Sequence, residues 1–347
     1  MITVGGAGFA GLVASVRLRE LGVGSVVLEK GDRPGGSMLL SSGVVWRYRG
    51  WDEFRRQCPR GDERLQRLVW ERLDDALDWL RTFDAESATY EANPLTTGRR
   101  FDTQALTDEL VRAAGEVRLG ETLSDDADVP VILATGGFQA DPELVAEHIR
   151  PAVPLALRSN RWSAGDGLRY GVARGALLTD GMDEFYGRNM PDREWGEPDF
   201  VQLAQLYGRR ARVVNECGDA YLSDPVTWSE TDLVQATARQ PGARAWYLLD
   251  EETLRDAHDV VERSGTAVRV GDLPFDVPEG IVVGVRVRAA ITHTIGGLRV
   301  DERARAAEGV WAAGVDAGGV STGGYASGLA QALVLGLAAA EDAASYY

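Results

Sequence analysis

The run Ile2-Thr3-Val4-Gly5-Gly6-Ala7-Gly8-Phe9-Ala10-Gly11, continued by Leu12 to Leu21 and then Ser25-Val26-Val27-Leu28-Glu29, decides the fold. It reads as strand, glycine turn, helix and strand, with an acidic residue closing the second strand. Each glycine has its own task. Gly6 permits the tight turn out of the first strand, Gly8 leaves the backbone bare for a pyrophosphate, and Gly11 lets the helix lie close to the strand. The helix start offers N–H groups without internal partners, and the positive end of its dipole, to the phosphates. Glu29 follows Gly11 by 18 residues, near the roughly 20 expected of a carboxylate that grips ribose hydroxyls. A GxGxxG alone is weak evidence. Here its strand–turn–helix–strand context is complete, and the stretch predicts a dinucleotide site for FAD or NAD.

The other end of the chain carries Val310-Trp311-Ala312-Ala313-Gly314 and a glycine-rich run into a final helix. At 347 residues and 44% hydrophobic, the chain has material for about two domains with a real core. Its net charge of −16 argues against nucleic acid and anionic membrane surfaces as partners. Cys58 and Cys217 stand alone, with neither a CxxC nor a disulfide framework, which fits a reduced cytoplasm. A signal peptide does not fit a chain whose first strand begins at Ile2. The apolar run Leu329 to Ala340 is too short and too rich in Gly and Ala to span a bilayer. It predicts a buried helix, so a cytoplasmic protein without membrane insertion is expected.

Between the ends, Leu65, Leu68, Val69, Leu73, Ala76, Leu77 and Leu80 recur at helical spacing and predict a helix over 62–83. A second helix is expected over 104–114. Pro130 to Leu133 reads as a buried strand running into the glycine turn Ala134-Thr135-Gly136-Gly137. A helix is expected over 163–175, with Asp166 as its N-cap. From 178 to 288 the chain turns loop-rich, with several prolines and many Trp and Tyr, and reads as an inserted domain. The chain then returns through 282–287 and 291–301. The expected architecture is α/β: a Rossmann-like domain of 1–177 and 289–347, interrupted by an α+β capping domain of 178–288.

Five blocks in this order resemble the fumarate reductase/succinate dehydrogenase flavoprotein superfamily, and within it the FAD-dependent ketosteroid and tricarballylate-type dehydrogenases. They are the GxGxxG opening; Glu29-Lys30 with Gly35-Gly36-Ser37 to Ser41-Ser42-Gly43; Ala134-Thr135-Gly136-Gly137-Phe138; His293-Thr294-Ile295-Gly296-Gly297; and Ala312-Ala313-Gly314 with Gly318-Gly319 to Gly328. The resemblance implies FAD as cofactor. It implies contacts from Gly6, Gly8, Phe9, Ala10 and Gly11, from Glu29 and Lys30 at the adenosine ribose, and from Gly35, Gly36, Ser37, Ser41, Ser42 and Gly43 along the pyrophosphate, ribityl chain and flavin edge. Ala134, Thr135, Gly136 and Asp166 join these, with Gly314 and Asp316 near the ribityl and phosphate region. The helix starting at Ser327-Gly328-Leu329 is expected to aim its positive end at the flavin, where it stabilises the anionic reduced ring. The loop Gly35 to Gly43 lacks the histidine that carries covalent flavin in some members, so the FAD is expected to be non-covalent. The family's β-meander after Gly115 is here reduced to Glu116–Pro130, with an acidic turn at Asp125-Asp126.

The resemblance also bears on chemistry. Fumarate-type enzymes pass a hydride between flavin and an activated C=C bond while a side chain moves a proton. In the dicarboxylate reductases that side chain is an Arg shortly after an Asn-Glu pair. Here Asn215-Glu216 is followed by Cys217-Gly218-Asp219-Ala220-Tyr221, with no Arg. Tyr325-Ala326-Ser327-Gly328 resembles instead a Tyr-x-Ser-Gly signature of enzymes acting on α,β-unsaturated ketones. Tyr325, Tyr221 and His293 are the candidate catalytic residues, with Ser327 and Arg188 as candidate substrate contacts. Arg188 has a simpler reading as a solvated surface residue, and His148 and His258 read as surface histidines. No cluster has metal-ligand spacing. With one dinucleotide fingerprint in the chain, the expected electron partner is a diffusing carrier or oxygen. The leading expectation is an FAD-dependent dehydrogenase or ene-reductase acting on a C–C or C=C bond beside the carbonyl of a sizeable apolar molecule, such as a ketosteroid or polycyclic metabolite. A carboxylate dehydrogenase and a non-catalytic flavin-binding protein are the alternatives.

Overall fold

The computed structural model describes residues 1–124, 130–222 and 225–346; the turn expected at Asp125-Asp126 lies outside them. The chain divides into two compact units. The first holds Met1–Asp141, Asn160–Glu184 and His293–Tyr347, and the second Pro142–Ser159 and Phe185–Thr292.

In the first unit the opening residues form strand β1 (Ile2–Gly5), helix α1 (Phe9–Glu20) and strand β2 (Ser25–Glu29). β1 and β2 run parallel, Ile2 opposite Ser25 and Gly5 opposite Leu28. The sheet is six-stranded, in the order 305–307, 310–312, 131–133, β1, β2 and 116–119, and its pairings are parallel except that of 305–307 with 310–312. Its central strands are covered on both faces, so they read as apolar runs rather than as alternation. The residues after Gly115 supply the outer strand Glu116–Leu119.

α1 and the C-terminal helix, Gly328–Ala344, are buried on nearly every side and pack on each other. Their approach is close: a Cβ at Gly336 would lie 2.8 Å from the Ala10 carbonyl oxygen. The apolar run from Leu329 is therefore Gly/Ala-rich for helix–helix contact. No described helix is long and apolar enough to cross a membrane.

The helix expected over 62–83 spans Glu63–Arg81. Asp62 caps it, accepting from the N–H groups of Arg64 (2.9 Å) and Leu65 (3.3 Å). Asp102 caps Thr103–Ala113 in the same way. A three-stranded antiparallel sheet of 44–48, 96–101 and 86–90 was not expected from the sequence. Its strands carry Arg47, Glu86 and Arg99 at half-buried positions, Arg100 at an exposed one, and a glycine, Gly98, in mid-strand, where a Cβ would lie 2.7 Å from Val44 and Trp46 side-chain atoms. Such a glycine reads as a turn until its cross-strand neighbours are known.

Two boundaries differ from expectation. The helix expected over 163–175 is Asp166–Ala173, and its N-cap is Gly165 at φ 83°, not Asp166. Asp166 is the first helical residue, and its carboxylate faces Lys30 at 2.9 Å. The insertion expected at 178–288 also differs from the second unit, which includes Pro142–Ser159 and runs on to Thr292. Ala156 and Leu157 pair in parallel with Ala290 and Ile291, and that two-residue pairing leaves no periodic signature in the sequence.

The second unit is less loop-like than its prolines suggest. The return segment 282–287 and the first residues of 291–301 belong to one strand, Ile281–Thr294, whose last two residues belong to the first unit. Arg244–Asp250 pairs antiparallel with it and with Arg212–Val214, and Ala267–Arg269 lies on its other edge. Leu233 on the helix Thr231–Ala238 packs with Tyr247, Leu249, Val285 and Val287 in the core.

Candidate cofactor and active site

The glycines of the opening turn do different things. Gly6 has φ 103°, and a Cβ there would lie 2.3 Å from the Ala134 carbonyl oxygen; at Gly11 it would lie 1.9 Å from that of Gly6. Both are fixed by the protein's own backbone. At Gly8 a Cβ would meet nothing nearer than the Gly36 Cα at 4.0 Å. The Gly35 N–H donates to the Ala7 carbonyl (2.7 Å), and Gly8 and Gly35 form a parallel bridge. Two glycine turns thus meet backbone to backbone beside the start of α1. No side chain caps that helix and no acidic residue stands in its first turn. Phe9 and Ala10, buried, begin it. This bare, donor-rich cradle fits the pyrophosphate of FAD.

Glu29 is buried, and its two oxygens accept from the N–H groups of Ala7 (2.8 Å) and Gly31 (2.7 Å). Each oxygen keeps a lone pair for a ribose hydroxyl. The Asn160 N–H reaches Ser37 Oγ at 3.4 Å. Ser41 Oγ donates to the Met38 carbonyl and accepts from the Gly43 N–H, closing the loop internally, while Ser42 is exposed.

Asp316 is buried beneath the turn that follows the strand 131–133. It accepts from Thr135 N–H, from Thr135 Oγ1 (3.1 Å) and from Gly137 N–H (3.1 Å), with Gly136 N–H at 3.4 Å. Burial pushes its carboxyl pKa up, and these bonds oppose that. Asp316 therefore holds the Ala134–Gly137 turn in place. Gly314, at φ 63°, sits against Ala10. Gln331, not singled out in the sequence, donates to the carbonyls of Gly314 (2.8 Å) and Ala317 (2.6 Å). Its available signal was a lone polar residue within the apolar run Leu329 to Ala340.

The C-terminal helix begins at a strained residue: Ser327 has φ 69°, rare for a side chain with a Cβ. Its Oγ accepts from the N–H groups of Trp46 (3.2 Å) and Ala330 (3.4 Å). With both lone pairs engaged, its O–H is the group left to donate. His293 stands beside this helix start, its Nε2 3.2 Å from where a Gly328 Cβ would be. Its Nδ1 lies 3.0 Å from the Thr294 carbonyl. A carbonyl only accepts, which places the ring proton on Nδ1 and a lone pair on Nε2. Burial pushes the His293 pKa down, so the ring is neutral at neutral pH. Tyr325 is fixed through its backbone: its carbonyl accepts from the Tyr48 hydroxyl at 2.6 Å. Its peptide also bonds the Cys58 thiol, whose pKa burial raises to about 12. Leu329 follows Gly328 in the first turn, where no acidic residue stands. His293, Tyr325, Ser327 and Gly328 are thus brought together in one unit.

Arg188 and Tyr221 lie in the second unit, and both turn inward. Arg188 is buried, not solvated, and its guanidinium pairs with Glu230 at 3.0 Å. Glu230 also accepts from the Arg209 N–H (3.0 Å), and Tyr207 lies under the Arg188 guanidinium. Tyr221 bonds Thr237 Oγ1 at 2.7 Å. Thr237 gives its own proton to the Leu233 carbonyl and accepts from Asn189, so Tyr221 is the donor. Burial raises the Tyr221 pKa to about 12. Glu230, Thr237 and Asn189 had no signal in the sequence. His258 is exposed, and His148 half-buried. Among the described residues no group of three His, Cys, Asp or Glu is placed to hold a metal ion.

Comparison with known proteins agrees with this geometry. The FAD binding domain family matches residues 49–329, and an NAD(P)-binding Rossmann-like domain matches residues 4–42. The probable fumarate reductase Ifc3 of Shewanella frigidimarina is 23% identical over 461 aligned positions, covering 99% of this chain and 75% of the relative. The fold is shared with an open flavocytochrome c3 fumarate reductase (TM-score 0.76, 19% identity, 100% of this chain and 78% of the other). It is shared equally with 3-ketosteroid delta1-dehydrogenase from Sterolibacterium denitrificans in complex with 1,4-androstadiene-3,17-dione (TM-score 0.75, 15% identity, 100% and 99%). The chain belongs to the flavoprotein superfamily of fumarate reductases and ketosteroid dehydrogenases and is an FAD-dependent oxidoreductase.

Proposed function

We propose that this oxidoreductase acts on a C–C or C=C bond next to the carbonyl of a sizeable apolar molecule, such as a ketosteroid or polycyclic metabolite. The observation that carries the reading is the uncharged set of groups at the start of the C-terminal helix. His293 is held neutral by burial. The guanidinium tied to the Tyr325 loop, Arg60, is already paired with Glu184. A dicarboxylate needs free cations there, whereas a ketone needs a hydroxyl donor.

The Gly8–Gly36 cradle and Glu29 would hold FAD, which when bound would supply the hydride acceptor or donor. The Tyr325 hydroxyl hydrogen-bonds the ketone oxygen and stabilises the enolate that forms as the α-proton moves. The lone pair of His293 Nε2 takes that proton in the oxidative direction and returns it in the reductive one. The O–H of Ser327 donates to a substrate or cofactor oxygen. Tyr221, its proton committed to Thr237 and its pKa near 12, is a poor proton carrier at neutral pH and is given the lesser role. The electron partner is a diffusing carrier or oxygen; rapid anaerobic bleaching by NADPH would count against this.

The test is an enone screen on the FAD-loaded protein, opened with 4-androstene-3,17-dione, with fumarate, succinate and tricarballylate run alongside. Turnover of a cyclic enone or ketone, lost in Tyr325→Phe, is the expected result. Turnover of a carboxylate alone replaces this reading with the one that likeness to a probable fumarate reductase favours. Acid release of free FAD would establish non-covalent binding.

A further inference from the structure

Glu184 is a buried carboxylate with no part in the chemistry above. Only 3% of the residue is exposed. It is the last residue of the first unit before the chain enters the second. Its carbonyl accepts from the Ile295 N–H (3.0 Å), just after the chain has returned. Its side chain points the other way, into the glycine-rich loop that carries Tyr325. One oxygen accepts from the Gly323 N–H at 2.7 Å, and the other pairs with the Arg60 guanidinium. The Arg60 N–H in turn donates to the Thr322 carbonyl at 3.2 Å.

That loop is held by bonds to its peptide groups: within it, the Gly324 N–H donates to the Ser321 carbonyl (2.9 Å) and the Ala326 N–H to Ser321 Oγ (3.2 Å). Gly323 is left-handed at φ 89° and Gly324 lies so close to Gln57 that a Cβ would sit 1.8 Å from its carbonyl oxygen. Glycines bring no side-chain packing and the largest backbone entropy, so the loop's position depends on hydrogen bonds to its peptide groups. Tyr48 and Cys58 fix the Tyr325 peptide. Glu184 fixes Gly323, two residues earlier. A bond from a backbone N–H to an ionised carboxylate is about twice as strong as a neutral one. Burying that carboxylate is tolerable because Arg60 compensates its charge.

We propose that Glu184 is a positioning residue for the proposed reaction: its carboxylate, charge-compensated by Arg60, sets the place of Tyr325 through Gly323, and links that place to the point where the chain crosses between its two units. The proposal rests on the reading of Tyr325 as the residue that binds the carbonyl.

The experiment uses the full FAD-loaded chain and three variants, Glu184→Gln, Glu184→Asp and Tyr325→Phe. Amide hydrogen exchange is read over the peptide containing 319–325, and kcat and KM are measured on the best substrate of the enone screen. Glu184→Asp keeps the charge and loses reach; Glu184→Gln keeps an acceptor and loses the charge. The expected result is at least tenfold faster exchange in 319–325 for Glu184→Asp, with a smaller change for Glu184→Gln. The kcat should fall about tenfold in the same order, with KM and bound FAD within twofold of the parent. Unchanged exchange overturns the proposal. Faster exchange with unchanged kcat also overturns it, since Glu184 is then only structural. In that case Tyr325→Phe locates the fault. If it lowers kcat, the positioning claim alone has failed; if it too leaves kcat intact, the Tyr325 reading has failed first.

Discussion

The two units handle polar groups in opposite ways. Around Gly8 and Gly36 the first unit removes side chains and presents bare backbone, and no side chain caps the start of α1. Around Arg188 the second unit does the reverse. Arg188, Glu230, Asn189, Thr237 and Tyr221 are linked by side-chain bonds inside a core, although among the described residues Arg188 Nε and Asn189 Oδ1 are left without one. Bare backbone marks the proposed cofactor cradle; side chains bonded to one another mark the core of the second unit. A buried tyrosine whose proton is already committed, as that of Tyr221 is to Thr237, is a weak candidate for chemistry, however suggestive its residue type.

The sharpest way to break this contrast is a pair of single methyl groups. Gly11→Ala drives a Cβ to 1.9 Å from the Gly6 carbonyl oxygen, and the folded, flavin-loaded protein should be lost altogether. Gly8→Ala meets no protein atom closer than 4.0 Å. The apoprotein should keep its Tm while FAD affinity falls by at least tenfold. Flavin content and melting curves of the two variants check this, and equal damage to the apoproteins would dissolve the distinction between structural and binding glycines.

Tyrosines give the next largest effect. Tyr325→Phe should lower kcat by about 10²–10⁴, the usual range for a positioned proton donor. Tyr221→Phe should change kcat by less than about tenfold and cost stability through the loss of its bond to Thr237, about 1 kcal/mol. Steady-state kinetics with urea denaturation separates them, and a reversed order would return Tyr221 to the centre of the mechanism.

Glu230→Ala leaves Arg188 buried and uncompensated, which should cost about 3–5 kcal/mol. The double change Arg188→Met/Glu230→Leu should recover most of that, because the pair offsets its own desolvation. Failure of the double variant to recover would mean that Arg188 is held for something other than architecture.

The smallest effect is one of pH. The folded-state pKa of His293 is depressed, so the unfolded chain takes up its proton first on acidification. The stability it contributes is complete above the ordinary histidine value of 6.5 and is lost as pH falls below it toward the folded value. The slope is at most about 1.4 kcal/mol per pH unit for one proton. Denaturation at pH 7.5 and 5.5 should show a decline that is smaller in His293→Gln, and an equal decline would place the titrating group elsewhere.

The same contrast explains what could be read without coordinates. The GxGxxG turn, Glu29 and the capped helices were legible because their geometry is set within a few residues by backbone rules. His293 was legible only as a block with Gly296-Gly297; its neighbour Gly328 lies far along the chain. Asp166 illustrates the error mode: its residue type suits an N-cap, but the only lysine took its carboxylate. Arg188 was misjudged as solvated because its partner Glu230 lies 42 positions away, and no local pattern announces such a pairing. The sheet of 44–48, 86–90 and 96–101 was missed because its strands carry charges where alternation would have shown them.

Lys30 gives the molecule a use beyond its chemistry. The sequence holds no other lysine, and this one pairs with Asp166 beside Glu29. Amine-directed acylation of the protein therefore has a single side-chain target, next to the proposed adenosine end of the cofactor site. The mass increment on the peptide that holds Lys30, followed over time with and without FAD, makes the protein its own occupancy gauge, with no engineered label and no knowledge of the substrate.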